Sequence, residues 1–161
     1  MADKIITSVL GNHDLYLLYL MNFNQSKGDL KKIIEAENSE LIFNWLITRP
    51  LLIQISDQSG LNKFIVSHAG IPEIWSIEKA LDLANEVSMA LANNASEILQ
   101  GMWGYKPNTW DESLVGNDRY RAIINYLTRM RFLDINAGLD LENTSNEATA
   151  GYKPWFDYES K

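Results

Sequence analysis

The tightest constraint on this chain lies in residues 5–20, where two apolar runs are separated by a glycine and three polar residues. Ile5, Ile6, Val9 and Leu10 read as a buried strand, and Leu15, Leu17, Leu18 and Leu20 read as the apolar part of a helix. The chain must therefore turn at Gly11-Asn12-His13-Asp14, and Gly11 can take the positive φ that such a sharp reversal often needs. The three polar side chains then emerge at the carboxyl end of a strand, where α/β proteins bind their ligands. An amide oxygen such as that of Asn12 can ligate a hard cation, and the imidazole of His13 can ligate or carry a proton. A carboxylate at Asp14 suits the positive end of the helix dipole. The same residue types are also ordinary turn and N-cap formers, so the corner needs support from elsewhere.

That support is His68, the only other histidine in the chain. It follows Lys63-Phe64-Ile65-Val66-Ser67, read as a second buried strand, and precedes Ala69-Gly70. Two strand ends each present an imidazole, and one adds an amide.

Composition narrows the function classes. A chain of 161 residues is long enough for one domain with a real core and too short for two large ones. The absence of cysteine excludes disulfides, thiolate metal sites and a thiol nucleophile, and it fits a reducing cytoplasm, the expected location. The longest apolar run, residues 15–21, falls far short of the roughly 20 residues that span a bilayer. A net charge of −7 argues against a nucleic-acid polymer as partner. A small polyanion needs local positive charge, from metal ions or a few arginines, to offset that field.

The whole is read as a single partial domain of α/β type, an α+β mixture with a largely helical subdomain. Residues 1–14 give the opening strand and corner, with no earlier strand to pair with, which suggests a piece of a longer protein. Residues 15–50 are expected to be helical: 15–23, then a short helix capped by Asp29, then one capped by Asn38 or Ser39 and stopped before Pro50. Residues 51–70 form a β-hairpin that delivers His68. Residues 71–135 are mainly helical. Ser76 caps a helix to about residue 92 with Ile77, Ala80, Leu81, Ala84, Val87 and Leu91 on one buried stripe, and residues 95–100 continue as a second stretch. The loop 102–110 holds Trp103 and Trp110, which either stack on a purine or pack beneath the loop.

A helix over 118–132 carries the stripe Tyr120, Ile123, Ile124, Leu127 and Met130. At about 100° per residue Arg131 falls inside that stripe, and a guanidinium pointing inward must find an anion. The argument lapses if the helix ends at residue 128 or 129. Arg129 is expected on the opposite face, with Arg119 and Arg121 on the flanks, solvated or paired at the surface. Residues 136–161 form an irregular tail, loop-like or partly disordered to residue 150, then aromatic at Trp155 and Phe156 before an end that also looks cut.

Gly11-Asn12-His13-Asp14 followed about fifty residues later by Ser67-His68-Ala69-Gly70 resembles the third and fourth motifs of calcineurin-like, phosphoprotein-phosphatase-type dinuclear metallophosphatases. The later blocks are Asn44-Trp45-Leu46 with Arg49-Pro50-Leu51-Leu52, Pro107-Asn108 with Trp110, Thr128-Arg129-Met130-Arg131-Phe132 and Lys153-Pro154-Trp155-Phe156. In that order they are similar to the bacterial symmetrical diadenosine tetraphosphatases. The resemblance implies part of a β-sandwich flanked by helices, and hydrolysis of the dinucleoside polyphosphate diadenosine tetraphosphate to two ADP. It implies two divalent ions, manganese, cobalt or similar, with Asn12 and His68 as ligands of the second. His13 would act as proton donor to the leaving oxygen, Arg131 with Arg129 as phosphate-binding groups, and Gly11 and Asp14 as supports. The family's two upstream Gly-Asp motifs and its downstream Gly-His are absent here, so this chain alone is expected to have little or no activity. Two other readings stand beside this one: a non-catalytic helical interaction module, and a metallophosphatase acting on phosphoproteins. Against the latter, Asp14 stands where protein phosphatases usually carry Glu. Nothing in the sequence fixes the oligomeric state.

Overall fold

Val87 and Leu91 of one helix, Ile123 and Leu127 of another, and Leu15 and Leu18 of a third are all excluded from solvent within one hydrophobic cluster. That cluster runs from Leu10 to Leu141 and organises the molecule. Each such side chain contributes about 1.5–3 kcal/mol through burial. The structure is a computed structural model, and it describes residues 7–158.

The elements in order are α1 (Asn12–Asn22), a 3₁₀ turn (Gly28–Leu30), α2 (Lys31–Ile34), α3 (Ser39–Leu46), β1 (Leu52–Ser56), β2 (Lys63–Ser67), α4 (Ile77–Gly101), α5 (Gly116–Arg129), β3 (Phe132–Leu133), β4 (Lys153–Pro154) and a 3₁₀ turn (Trp155–Asp157). The chain is a mixed α/β structure whose sheets, among the described residues, are two antiparallel pairs, β1–β2 and β3–β4. No helix among the described residues is long and apolar enough to cross a membrane.

Helix α4 starts as its sequence requires, with the Ser76 hydroxyl accepting the Lys79 N–H at 3.2 Å. Its expected division also appears. Asn94 leaves helical geometry (φ −149°, ψ 71°) and its side-chain oxygen accepts the Glu97 N–H, so the second half is capped afresh inside one continuous element. The hairpin pairs Leu52 with Ser67 through Ser56 with Lys63, as expected from residues 51–70. It is less buried than its composition suggests: Lys63 and Phe64 are exposed, and Ile65, Val66 and Ser67 are half-buried.

Several expectations are corrected. Residues 1–6 of the proposed opening strand lie outside the described residues, and residues 7–10 follow no strand; Leu10 instead donates its N–H to Pro50 O at 2.8 Å. Asp29 lies within a 3₁₀ turn and caps no helix, and α2 is a single turn. Helix α5 ends at Arg129 because Met130 turns to extended geometry (φ −62°, ψ 120°) and leads into β3. The helical-face argument for Arg131 therefore fails. The tail is irregular yet ordered. The Asp134 carboxylate accepts the N–H groups of Asn136 and Gly138, Leu139 N–H donates to Asn108 O at 2.7 Å, and Ala137, Leu139 and Leu141 are buried.

Candidate functional site

The start of α1 and the end of α5 meet, and the loop after β2 is fastened to both. Gly11 is the N-cap of α1 with φ −101°, so the positive φ open to it is not used. Its requirement is steric: a Cβ there would lie 2.6 Å from His68 Nδ1 and 2.7 Å from Cε1, closer than real atoms approach. Glycine lets the imidazole lie against the helix start beside Asn12. Asp14 accepts the Gly11 N–H at 2.8 Å, closing the first turn and placing its charge at the positive end of the helix.

The His68 loop is held from the other side. Ala69 donates its N–H to Leu127 O at 3.0 Å, using a carbonyl that the ending helix leaves free. Gly70 takes φ +143°, and a Cβ there would sit 2.7 Å from the Trp155 ring. Trp155 in turn donates its backbone N–H to Arg131 O at 3.0 Å. The imidazole and the two arginines thus share one frame.

That frame encloses a cavity of about 360 Å³ lined by Asn12, His68, Arg129, Arg131, Asp140 and Asn143, among others. Four residues picked out in the sequence therefore converge, although they come from three separate stretches. His13 does not line it. It is exposed and faces an adjoining cleft of about 450 Å³ that shares Asn12 and Arg129 with the first.

Arg129 is the larger correction. It is half-buried, with its NH1 donating to Asn125 Oδ1 at 3.0 Å and to Gly104 O at 3.3 Å, and its guanidinium carbon 5.4 Å from the Tyr105 ring centre. Burial pushes its pKa down from the usual arginine value, with Tyr105 opposing. Arg131 is exposed and donates to Thr144 O at 3.2 Å. Among the described residues neither arginine has an ion-pair partner, whereas Arg119 grips Glu86 through two hydrogen bonds and Arg121 binds Asp118. Two guanidinium groups held by neutral acceptors beside one cavity can face an anion, and the same lining also carries one carboxylate, Asp140.

Sequence reasoning missed Asn125, which is fully buried and orients Arg129 while its Nδ2 donates to Gly104 O. Its place four residues before Arg129 on one helix was the available signal. Asp140, Asn143 and Thr144 were also missed, because the tail that carries them was read as loose. Trp110 takes the packing alternative, and Trp103 also packs, on Tyr16 and Tyr19, while part of its ring stays exposed. Trp110 packs edge-on against buried Trp75 at 5.2 Å and carries Arg119 on its ring. Trp103 is 39% exposed and lines the cleft beside His13.

For a cation, the donor set is incomplete. Asn12 and His68 bring two neutral ligands, and among the described residues no three His, Asp or Glu side chains are grouped so as to hold a metal ion. Two neutral donors do not hold a divalent ion against water. The lining thus joins two guanidinium groups and one carboxylate to two metal-type donors, Asn12 and His68.

Comparison with known sequences finds curated proteins that share one name and match the chain along nearly its full length. A symmetrical bis(5'-nucleosyl)-tetraphosphatase of Marinomonas sp. (strain MWYL1) is 46% identical over 96% of this chain and 57% of its own length. Proteins of the same name from Pseudomonas entomophila (strain L48) and Legionella pneumophila (strain Philadelphia 1) are each 41% identical, over 95% and 92% of this chain and 55% of their own length. By sequence the chain is similar, along nearly all of its length, to proteins named symmetrical bis(5'-nucleosyl)-tetraphosphatase. It spans a little over half the length of the curated relatives it matches. No family model matches it.

Proposed function

We propose that this chain is the part of a symmetrical bis(5'-nucleosyl)-tetraphosphatase that binds the polyphosphate, and that the whole protein cleaves diadenosine tetraphosphate into two ADP. The observation that carries this reading is the pair Arg129 and Arg131, without carboxylate partners among the described residues, on one cavity with Asn12 and His68. A tetraphosphate carries several negative charges, and fixed guanidinium groups neutralise them without solvent reorganisation. The relatives' shared name supports a dinucleotide over a phosphoprotein, and it supports an enzyme over a non-catalytic helical module.

In this reading Asn12 and His68 are two ligands of a metal site that groups outside this chain complete. The family resemblance implies two divalent ions, manganese or cobalt in kind, which supply Lewis-acid activation of water when bound. Likewise the β1–β2 hairpin, with Ile55 and Phe64 exposed, is one corner of a sandwich completed elsewhere. In the cleavage a water oxygen bonds to one of the two central phosphorus atoms, the bridging P–O bond between them breaks, and the departing ADP oxygen takes up a proton. In this reading exposed His13, next to Asn12 and facing the shared cleft, gives that proton. Arg129 and Arg131 hold the charge that develops on the non-bridging oxygens.

The test is manganese-dependent release of ADP by the whole protein and by this chain, with metal titration by calorimetry on both. The whole protein is expected to turn over, and Arg131→Ala in it to lose at least about tenfold in kcat/KM. This chain alone is expected to bind metal weakly and to release no ADP. Turnover by the isolated chain overturns the incomplete-site reading, and unchanged kinetics for Arg131→Ala overturn the anion-binding one.

A further inference from the structure

Tyr16, Trp103 and Tyr105 line the cleft that His13 faces and take no part in the phosphate cavity. That cleft has about 450 Å³ of space and is lined by Asn12, His13, Tyr16, Trp103, Tyr105 and Arg129, with Gly104 between the last two aromatic residues of the loop. Three aromatic rings, two metal- or proton-type groups and one cation line it, and no carboxylate does.

Two of those rings are offered to solvent. Trp103 is 39% exposed and Tyr105 50% exposed, although both sit on a loop next to a well-packed core. Trp103 does not lie loose on the surface. It is braced by Tyr16 at 5.7 Å and Tyr19 at 5.6 Å, both nearly perpendicular to it, on consecutive turns of α1. A large ring braced by two neighbours and still 39% exposed offers a surface for stacking.

Arg129 joins this surface to the phosphate cavity. It lines both spaces, as does Asn12, and its guanidinium lies 5.4 Å from the Tyr105 ring centre. A ligand that spans the two spaces therefore needs an anionic end at Arg129 and, a short linker away, a flat aromatic end. A nucleoside phosphate has that layout.

Resting on the dinucleotide reading above, we infer that Trp103 and Tyr105 form the stacking platform for one nucleobase of the substrate, with Arg129 marking where base subsite passes into phosphate site. Stacking tolerates any base, because every base has a π-face, so this platform supplies affinity and positioning without choosing adenine over guanine.

The test compares ADP with inorganic pyrophosphate, which keeps the diphosphate and removes the nucleoside. Binding is measured by calorimetry on this chain, unchanged and as Trp103→Phe and Trp103→Leu. Both replacements are smaller than tryptophan and apolar, and only phenylalanine keeps a π-face, so a general packing defect affects them alike. ADP is expected to bind the unchanged chain more tightly than pyrophosphate does. Trp103→Leu should weaken ADP about fivefold to a hundredfold, and Trp103→Phe should stay within about threefold. Pyrophosphate affinity should be the same in all three. If Leu and Phe behave alike toward ADP, or if ADP and pyrophosphate bind the unchanged chain equally, the platform is refuted while the anion site stands. If pyrophosphate does not bind at all, the anion-site reading fails, and adenosine alone then decides the platform. Adenosine binding that Trp103→Leu abolishes supports it, and absence of adenosine binding overturns it.

Discussion

Replacing Gly11 by alanine separates two roles that one glycine plays at the helix start. The backbone accepts the change, since φ is −101° and alanine adopts that value freely. Loss of a favourable N-cap type costs about 0.5–1 kcal/mol. The second term is the collision with His68, where the new Cβ would lie 2.6, 2.7 and 3.0 Å from three ring atoms instead of the roughly 3.5–4.0 Å of ordinary contact. His68 is exposed and its ring turns on two single bonds, so it swings aside at a cost of about 1 kcal/mol, below the roughly 3 kcal/mol of an overpacked rigid core. The total, about 1.5–2 kcal/mol, lowers Tm by about 3–8 °C for a chain of this size.

The decisive experiment is a double-mutant cycle with His68→Ala. In that background the collision is gone and only the capping term remains, so the coupling should be about 1 kcal/mol. Since the chain has only two histidines, the imidazole NMR signals report the geometry directly: the His68 resonances should move strongly and those of His13 little. Displacement of the ring by about 1 Å should also weaken any ligand that uses it, well beyond what the stability loss suggests. Coupling below about 0.3 kcal/mol together with an unmoved His68 signal would refute the claim that glycine is there to admit the imidazole.

Tyr126 is fully buried, donates its hydroxyl to Ala137 O at 2.6 Å and accepts the Trp110 N–H at 3.2 Å, so Tyr126→Phe should cost about 1–3 kcal/mol in denaturant unfolding. Burial raises its pKa to about 12, so the folded state keeps a proton that the unfolded chain releases. Its contribution is intact below about pH 10 and declines as pH rises toward 12, by at most about 3 kcal/mol, and Tyr126→Phe should flatten that decline. Ser76→Ala removes the cap of α4 and should lower stability by about 1 kcal/mol, measurable as a fall in Tm of about 2–4 °C. Asn125→Ala frees Arg129 from its acceptor, and pyrophosphate binding followed by calorimetry should weaken about three- to tenfold while the helical circular dichroism signal persists.

What could be read from the chain letter by letter was whatever is decided locally. The Ser76 cap, the division of α4 near Asn94 and the β1–β2 hairpin all follow from residues within a few positions of each other. Arg131 shows the limit. Its helical face was a sound extrapolation until Met130 left the helix, and that exit is tied to Phe132 and Leu133 pairing with Pro154 and Lys153, some twenty residues away. The residue still reached the cavity, by a route that periodicity did not describe. Arg129 was misjudged for a related reason: Gly104 and Tyr105, which cover it, come from a loop about 25 residues earlier. Gly11 was valued for a φ it does not use, because its actual neighbour, His68, is remote in sequence. Convergence of Asn12 and His68 on one cavity was inferable because both sit at element ends, while the order in the tail depends on Asp134 and on Asn108 across the molecule.

The two backbone hydrogen bonds that tie Ala69 to Leu127 and Trp155 to Arg131 make α5 a common datum for everything around the cavity. Sliding or unwinding that one helix end by a single residue would carry imidazole and guanidinium groups out of alignment together. The spacing between them is thus a dimension set by the scaffold, and retuning it for a smaller or larger ligand would require moving the helix, whereas loop changes alone would leave the ruler unaltered.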